Sequence, residues 1–448
     1  MKNLKINILM LALVVLAGLS ACKKDDSDVS ISNPEPTVSN GITTDTLKGT
    51  LKGTLLKNKT YYMVADVTVN SGDSLVVQEG VTVIVSGDGS TTASSPQLTI
   101  NGVFICLGTK DKPVKFTVPA NQQGIANVYK GYWGGIQCGS NSGDVIIKWT
   151  RIEYTGGPAG PNNDPAIYAE GDPRYAIEFD NDNANFIFED SWIYGAKDDA
   201  IRVTGGKINM MRNTFEFCGE TGGECINIKG GTVGNIAYNL CIGGATNGIK
   251  LSNSGGAVTQ CNVYVYNNTI INNGFRRVKA GRGASLNIEA GAKGKFYNNM
   301  VINCRYGFRV VPDADTLNLE YGNTFYYGNA KSIVDEFNAT AGVSKTKSSD
   351  IRTDIIKTNN PKFVNYDVDK FDFSTITAPV SPTALPDYLN MVGTSNFRLA
   401  SGSPAIGKGK VDFSAMSAVT VSGTNAAQVD KPGADIGCYQ TDGSGNKH

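Results

Sequence analysis

The segment RNTFEFCGETGGECINIKGGTVGNIAYNLCIGGATNGIKL, residues 212–251, contains two short phrases that return along the chain. One phrase is centred on asparagine, and the other combines glycine with alternating apolar residues. The asparagine phrase recurs at Asn213, Asn239, Asn267, Asn298 and Asn323. The intervals between these asparagines are 26, 28, 31 and 25 residues, and the apolar phrase falls between them. Short strands and turns that repeat at this period predict a stack of coils.

The rest of the chain shows the same short alternating strands and no amphipathic helix of useful length. A sandwich would show hairpin turns without a fixed period, and a propeller would need longer repeats. We therefore predict an all-β fold, a single-stranded parallel β-helix over residues 48–330, in which asparagines at one corner form an amide ladder. Residues 331–440 lack the repeat and are interpreted as an irregular flank with a C-terminal cap, followed by a disordered tail at 441–448.

Composition argues against several function classes. The 448 residues include 41 Lys and Arg and 41 Asp and Glu, so no basic excess points to nucleic acid. The single histidine is His448, the last residue, which argues against histidine catalysis and histidine zinc sites. The eight cysteines after Cys22 form no C-x-x-C pair and are interpreted as small buried thiols, with disulfides as the alternative.

The N-terminus has the pattern of an export signal. Residues 1–21 combine a basic start with an apolar run that is too short to span a membrane comfortably. The sequence Leu19-Ser20-Ala21-Cys22 resembles the bacterial lipobox, which implies a lipid on Cys22; an ordinary cleaved signal is the alternative. Residues 22–47 are predicted to be a flexible tether. Lys24-Asp25-Asp26 resembles the surface-export signal of Bacteroidetes lipoproteins, so we expect a surface-exposed outer-membrane lipoprotein, with the periplasm as the alternative.

Several longer phrases resemble right-handed parallel β-helix proteins of Bacteroidetes. They are GDSLVVQEGVTVIV at residues 72–85, GYWGGI at 131–136, NPKFVN at 360–365, SGSPAI at 401–406 and DIGCY at 435–439. The resemblance covers most of the chain after the tether and implies that the predicted β-helix is right-handed. It leaves function open, because this fold carries lyases, hydrolases and adhesins.

One coil resembles the active-site coil of the alginate lyase and chondroitinase B family of polysaccharide lyases. The resemblance implies that Glu224 binds Ca²⁺ and that Lys229 is the base, with Lys250 where the family has an arginine. Asp190 lies in the region of an upstream metal ligand, whereas Gly222 replaces a second metal-binding glutamate. In such a site Ca²⁺ neutralises a uronate carboxylate and the lysine removes the neighbouring proton.

Two further clusters of charge stand out. Four cations lie in one glycine-flanked loop, namely Arg276, Arg277, Lys279 and Arg282, and could bind carboxylates or sulfates of a polysaccharide. Four acids resemble positions of polygalacturonase-type glycosidases, namely Asp180, Asp182, Asp198 and Asp199. Because that family also uses an internal histidine, we interpret these acids as solvated turn residues. An ordinary solvated loop is likewise the alternative for the cations.

These observations predict a cell-surface lipoprotein whose β-helix binds polysaccharide without catalysis. The alternatives are a Ca²⁺-dependent lyase that acts on a uronic-acid-containing glycan and a structural adhesin. No nucleic-acid partner is expected, and the membrane is contacted through the lipid on Cys22.

Overall fold

The computed structural model describes residues 40–375 and 395–448. Over these residues the chain winds into a right-handed parallel β-helix with one 11-stranded and one 19-stranded sheet, which confirms the predicted fold class. The predicted signal peptide, Cys22 and residues 23–39 of the predicted tether lie outside the described residues. Among the described residues no helix is long and apolar enough to cross a membrane.

Each coil contributes three strands, which stack on their counterparts in the next coil. Sheet 1 has eleven strands: Gly41–Ile42, Gly53–Leu55, Ser74–Val77, Val103–Leu107, Val145–Lys148, Asn185–Glu189, Gly206–Met211, Thr232–Ala237, Asn262–Tyr266, Lys293–Tyr297 and Leu319–Gly322. The larger sheet starts with the long strands Thr46–Thr50 and Thr60–Val69, and then divides into two rows that pair only within themselves.

These two rows are sheet 2 and sheet 3. Sheet 2 continues through Thr82–Val85, Val114–Thr117, Thr150–Glu153, Trp192–Tyr194, Thr214–Glu216, Leu240–Ile242, Thr269–Ile271, Met300–Ile302 and Phe325–Tyr327. Sheet 3 continues through Leu98–Ile100, Ile136–Cys138, Ile177–Phe179, Ile201–Val203, Ile226–Ile228, Ile249–Ser252, Ala284–Glu289 and Tyr306–Val310. Every pairing within the three sheets is parallel.

The interior is filled by apolar side chains that stack from coil to coil. In sheet 3, Ile201 lies beside Ile226 and Ile226 beside Ile249, and all three are fully buried. Alternation along each strand sends these residues inward and the residue between them outward. All eight cysteines of the described chain are also buried and free, as the interpretation of small buried thiols expects.

An amide ladder runs along the corner between sheets 1 and 2. The side chain of Asn213 donates to Asn239 over 2.9 Å, Asn239 donates to Asn268 over 3.0 Å, and Asn268 donates to Asn299 over 2.9 Å. The predicted ladder therefore exists, but Asn267 and Asn298 were assigned one residue too early, and Asn323 is not a member, because its side chain donates to the backbone carbonyl of Lys408. Asn267 and Asn298 occupy the preceding corner position with φ of 51° and 59°, a left-handed conformation that asparagine tolerates.

The β-helix begins before the predicted boundary at residue 48. Strand Gly41–Ile42 pairs with Gly53–Leu55 in the first coil, and Ile42 and Leu47 are buried. Residues 41–47 were predicted as tether, and this part of the prediction is wrong because their few apolar side chains fill the end of the core.

Two parts of the C-terminal region pack against different surfaces of the β-helix, namely the end of the last coil and the outer face of sheet 2. The helix Lys331–Val334 and the bridges from Phe308 to Asn338 and from Phe325 to Ile351 lie against the last coil. Strand Phe363–Asn365 pairs antiparallel with Asn396–Leu399.

From residue 407 the chain follows the side of the β-helix, a path that the sequence did not predict. The side chains of Lys148, Asn235 and Asn298 donate to backbone carbonyls of Ala426, Met416 and Lys410 over 2.6, 2.7 and 2.8 Å.

The last residues are ordered against the coils, so the predicted disordered tail at 441–448 is wrong. Asn446 is fully buried and donates to the backbone carbonyls of Asn213 and Tyr238. The ring of His448 stacks on Trp192 with 3.6 Å between the ring centroids. Burial lowers the pKa of His448 to about 3, which keeps the ring neutral.

Candidate functional site

The outward side chains of sheet 3 form a row of polar residues. The strand register aligns one residue from each successive coil, in the order Glu178, Arg202, Asn227, Lys250, Asn287 and Arg309. Because adjacent parallel strands lie about 4.8 Å apart, the row places one polar group at each such step along the helix axis. An extended ligand that lies along this face would meet these groups in turn.

A cleft of about 340 Å³ lies over the middle of this row. We name it the basic cleft, because five cationic side chains line it: Arg202, Lys229, Lys250, Arg277 and Arg282. The other lining residues are Tyr175, Asp198, Asp199, Gly222, Gly223, Glu224, Asn227, Thr246 and Asn247. Arg202 and Lys250 lie in sheet 3 strands, Lys229 directly follows a third, and Arg277 and Arg282 lie in the loop that precedes strand Ala284–Glu289, so successive coils assemble the cleft.

Two buried carboxyl groups at the cleft share a hydrogen bond, those of Asp199 and Glu224. Asp199 also accepts from the backbone N–H of Glu224 and from the side chain of Asn227, both over 2.7 Å. Burial, together with the charge of Glu224, raises the pKa of Asp199 well above its usual range. Burial opposes ionisation of Glu224 as well, but the hydrogen bond from Asp199 and the charge of Lys250 lower its pKa. Near neutral pH the pair therefore carries one negative charge.

A third carboxyl group, that of Asp198, lines the same cleft. Burial and the nearby carboxylate of Glu224 raise the pKa of Asp198 to about 7. Asp198 is therefore only half ionised near neutral pH. The negative charge at the cleft is smaller than the number of carboxyl groups suggests.

The carboxylates at the cleft therefore neutralise only part of its positive charge. The ammonium nitrogen of Lys250 lies 3.8 Å from Glu224 and 3.0 Å from Glu289. Glu289 is shared, because Arg282 and Arg309 lie 3.6 and 3.8 Å from its other oxygen. One carboxylate that faces three cations leaves net positive charge along this face.

Lys229 is the cleft cation whose pKa is lowered. Burial and the charges of Lys250 and Arg202 lower the pKa of Lys229 to about 8. In the described part of the chain no carboxylate lies within ion-pair distance of its ammonium group. Lys229 lies two residues beyond Asn227, the residue that pairs with Lys250, so the two lysines occupy neighbouring coils but different rows.

The four cations of the predicted basic loop lie in different environments in the structure. Arg277 and Arg282 line the cleft, whereas Lys279 is exposed outside it. Arg276 is only 1% exposed and donates to the carbonyls of Cys218, Gly219 and Gly243 over 3.1, 2.7 and 2.7 Å. The structure therefore does not place Arg276 for ligand contact, because its guanidinium group is buried and its Nε and Nη2 atoms donate to backbone carbonyls of neighbouring turns, while Nη1 is buried without a hydrogen-bond partner.

The predicted metal ligands are not brought together. Asp190 lies at the corner between sheets 1 and 2, where both of its oxygens accept from Arg212 over 2.8 and 2.9 Å. Glu224 lies in the cleft, but its Oε1 accepts from Asn247 over 2.9 Å. No group of three side chains suited to holding a metal occurs among residues 40–375 and 395–448. The residues present do not fit the Ca²⁺ ion that the lyase resemblance implies.

Three cleft residues were missed or misread from the sequence. Asp198 and Asp199 were interpreted as solvated turn acids, yet Asp199 is 2% exposed and its carboxyl is engaged at the cleft. Arg202 was not singled out, although the alternation Ile201-Arg202-Val203 repeats that of Ile226-Asn227-Ile228 one coil later. Aligning these phrases would have placed Arg202 beside Asn227.

Comparison with known proteins supports the fold and leaves the activity open. Residues 134–326 match the family model described as right handed beta helix region. This range contains all the coils that build the basic cleft. No curated protein and no solved structure matches the chain. The chain is thus a right-handed parallel β-helix protein, and this fold fits a protein that binds or acts on polysaccharides.

Proposed function

We propose that the protein binds an acidic polysaccharide in the basic cleft and does not cleave it. The observation that carries this proposal is the convergence of five cations on one cleft in which two of the three carboxyl groups, those of Asp198 and Asp199, have raised pKa values. Arginine can form two parallel hydrogen bonds to a carboxylate or sulfate, so Arg277 and Arg282 suit anionic sugars. Tyr175 adds an aromatic surface at the same cleft, already occupied on one face by the guanidinium of Arg202 at 5.0 Å.

A polymer fits the geometry better than a small anion does. The polar row continues past the cleft to Arg309, so a chain could contact the protein over several coils. The β-helix is also rigid along this direction, because every outward residue is fixed by strand pairing on both sides. A preformed site reduces the conformational entropy that is lost on binding.

A glycan array with acidic and neutral polysaccharides tests this proposal, with and without Ca²⁺. We expect binding to uronate or sulfated polymers, none to neutral polymers, and no requirement for Ca²⁺. Affinity should fall as salt rises, because exposed charges are screened over about 10 Å at 0.1 M. Binding to neutral polymers with equal affinity, or to none of the polymers as for a purely structural adhesin, would contradict the proposal.

A polysaccharide lyase is the second candidate, and the environment of Lys229 favours it. A lysine with a pKa of about 8 is substantially neutral at mildly alkaline pH and can accept a proton. In a β-elimination Lys229 would take the C5 proton of a uronate, the C4–oxygen bond would break, and a C4–C5 double bond would form. Lys250 and Arg202 would face the uronate carboxylate. The leaving oxygen needs a proton, which Asp198 could donate in its protonated form.

We also propose that a lipid on Cys22 anchors the protein at the outer face of the outer membrane, where it meets polysaccharides. The lipobox-like sequence before Cys22 and the charged residues after it support this location. Radioactive palmitate should label cells that express the wild-type protein and not cells that express Cys22→Ala. Unchanged labelling of Cys22→Ala would contradict the anchor, and protection of the protein from added protease in intact cells would contradict surface exposure.

A further inference from the structure

We infer that the basic cleft selects a polysaccharide in which charged and neutral sugars alternate. This inference rests on the proposed function and specifies the class of ligand. It follows from the order of side chains in the sheet 3 row, in which cations and amides alternate from Arg202 to Arg309.

The pairing register of the sheet 3 strands determines the order of these side chains along the row. Arg202 pairs with Asn227, Asn227 pairs with Lys250, and Asn287 follows Lys250 before Arg309. On this row a cation therefore recurs at every second coil, a spacing of about 9.6 Å from the distance between parallel strands. One sugar of an extended chain is close in length to the rise of one coil. Charges on alternate sugars would match the spacing of the cations.

Asn227 shows what the intermediate coil presents to a ligand. Its side chain is 4% exposed and lines the cleft, and its amide nitrogen donates to Asp199 over 2.7 Å. The side-chain oxygen of Asn227, Oδ1, is buried and has no hydrogen-bond partner in the structure. A buried acceptor without a partner is costly, so a ligand donor at this position would be favourable. A sugar hydroxyl or amide N–H supplies that donor, whereas a carboxylate would be repelled.

Lys229, the cation in the same coil as Asn227, does not alter the alternation of cations and amides along the sheet 3 row. Lys229 lies two residues beyond Asn227, directly after the strand ends at Ile228, which places it about 6.6 Å from Asn227 in the strand direction. It therefore faces a different part of the ligand than Arg202 and Lys250 do. The loop cations Arg277 and Arg282 approach from the rim and set no spacing along the row.

Titration with two probes of equal length tests the inference. A hyaluronan octasaccharide carries a carboxylate on every second sugar, and an octagalacturonate carries one on every sugar. Charge alone favours the octagalacturonate, because it has twice as many carboxylates. We expect the hyaluronan octasaccharide to bind about tenfold more tightly, because its neutral sugar can donate to Asn227 without bringing a carboxylate that the side-chain oxygen of Asn227 would repel. Equal or tighter binding of octagalacturonate would overturn the inference and leave the proposed function standing. Binding of neither probe would contradict both.

A matched pair of variants separates recognition from folding. Asn227→Ala removes the free acceptor and should reduce the preference for hyaluronan to about threefold or less, by weakening hyaluronan binding and relieving the repulsion of octagalacturonate. Asn318→Ala is the control, because Asn318 is exposed in the short turn Thr316–Asn318 before the last strand of sheet 1, away from the cleft and from the sheet 3 row. Asn318→Ala should keep the wild-type preference. If Asn227→Ala folds and keeps that preference as well, the inference is wrong.

Discussion

The ammonium nitrogen of Lys250 lies 3.0 Å from a carboxylate oxygen of Glu289, which belongs to the next coil of sheet 3. Glu289 is the only carboxylate that the structure places within ion-pair distance of Arg282 or Arg309 in residues 40–375 and 395–448. Its pKa is lowered, because the charge of Lys250 and hydrogen bonds outweigh burial, so it is ionised near neutral pH. Glu289 therefore limits the positive charge of the cleft.

Replacing Glu289 should strengthen the binding of anionic glycan. Glu289→Gln removes one negative charge and keeps the shape of the side chain, so we expect affinity for an oligouronate to rise about threefold to tenfold at low salt. Glu320→Gln is the matched control, because Glu320 pairs with Lys295 on sheet 1, away from the cleft. Weaker binding by Glu289→Gln with a normal fold would show that Glu289 positions Lys250 instead of neutralising it.

Binding of an anionic glycan should weaken between about pH 6 and pH 9. Asp198, with its pKa raised to about 7, gains a negative charge as pH rises, and Lys229, with its pKa lowered to about 8, loses a positive charge. Both changes act in the same direction, since each makes the cleft less positive. Dissociation constants measured across this range should rise in one broad transition to which both groups contribute. Asp198→Asn and Lys229→Met should each make this rise smaller, and a flat profile for the wild type would contradict this assignment.

Arg276 should matter for stability and not for ligand contact. Arg276→Ala removes the arginine donor from the buried carbonyls of Gly219 and Gly243 and one of the two donors of the Cys218 carbonyl, which should lower the free energy of unfolding by about 2–4 kcal/mol. Thermal and denaturant unfolding measure this loss. Lys279→Ala, three residues away and exposed, should unfold like the wild type. Equal stability of the two variants would contradict the bracing role of Arg276.

No lyase activity is expected with alginate, pectate or chondroitin-type polymers. The cleft lacks the family's arginine at residue 250 and does not assemble the implied Ca²⁺ site, and catalytic groups that act together lose most of their effect when parts are missing. The measurement is the ultraviolet absorbance of the conjugated double bond that elimination creates. An absorbance increase that disappears in Lys229→Ala, while that variant keeps its fold, would make the protein an enzyme. Lys250→Arg is the variant most suited to reveal residual activity.

The fold could be predicted because its signals are local and repeated. Apolar alternation followed by a turn recurs in phrases such as Gly248-Ile249-Lys250-Leu251, and each copy reports the same inward-outward pattern. The register of the asparagine ladder was predicted less well. Tyr266-Asn267-Asn268 offers two adjacent asparagines, and the sequence does not say which has a left-handed backbone and which side chain stacks.

The candidate site could be predicted only in part, because it depends on which coils align. The resemblance to the lyase family singled out Glu224 and Lys250, and the structure places them 3.8 Å apart. Arg276 and Arg277 are neighbours in sequence, yet one is buried among carbonyls and the other lines the cleft. Whether the side chain of a loop residue is buried or lines the cleft depends on its contacts with the neighbouring coil. The spacing of residues in the sequence does not reveal these contacts. The lateral path of residues 407–448 likewise depends on distant contacts, such as that of Lys148 with Ala426.

The central claim is that the basic cleft binds acidic polysaccharide, and equilibrium titration of a cleft variant tests it most directly. The double variant Arg277→Ser and Arg282→Ser removes two rim cations and leaves the buried Arg276 in place. A fluorescent hyaluronan octasaccharide should bind this variant at least about tenfold more weakly than it binds the wild type, because two charge-assisted hydrogen-bond donors are lost. Lys279→Ser, which removes an exposed cation outside the cleft, should bind like the wild type. If the double variant retains its fold and binds as tightly as the wild type, the basic cleft is not the binding site.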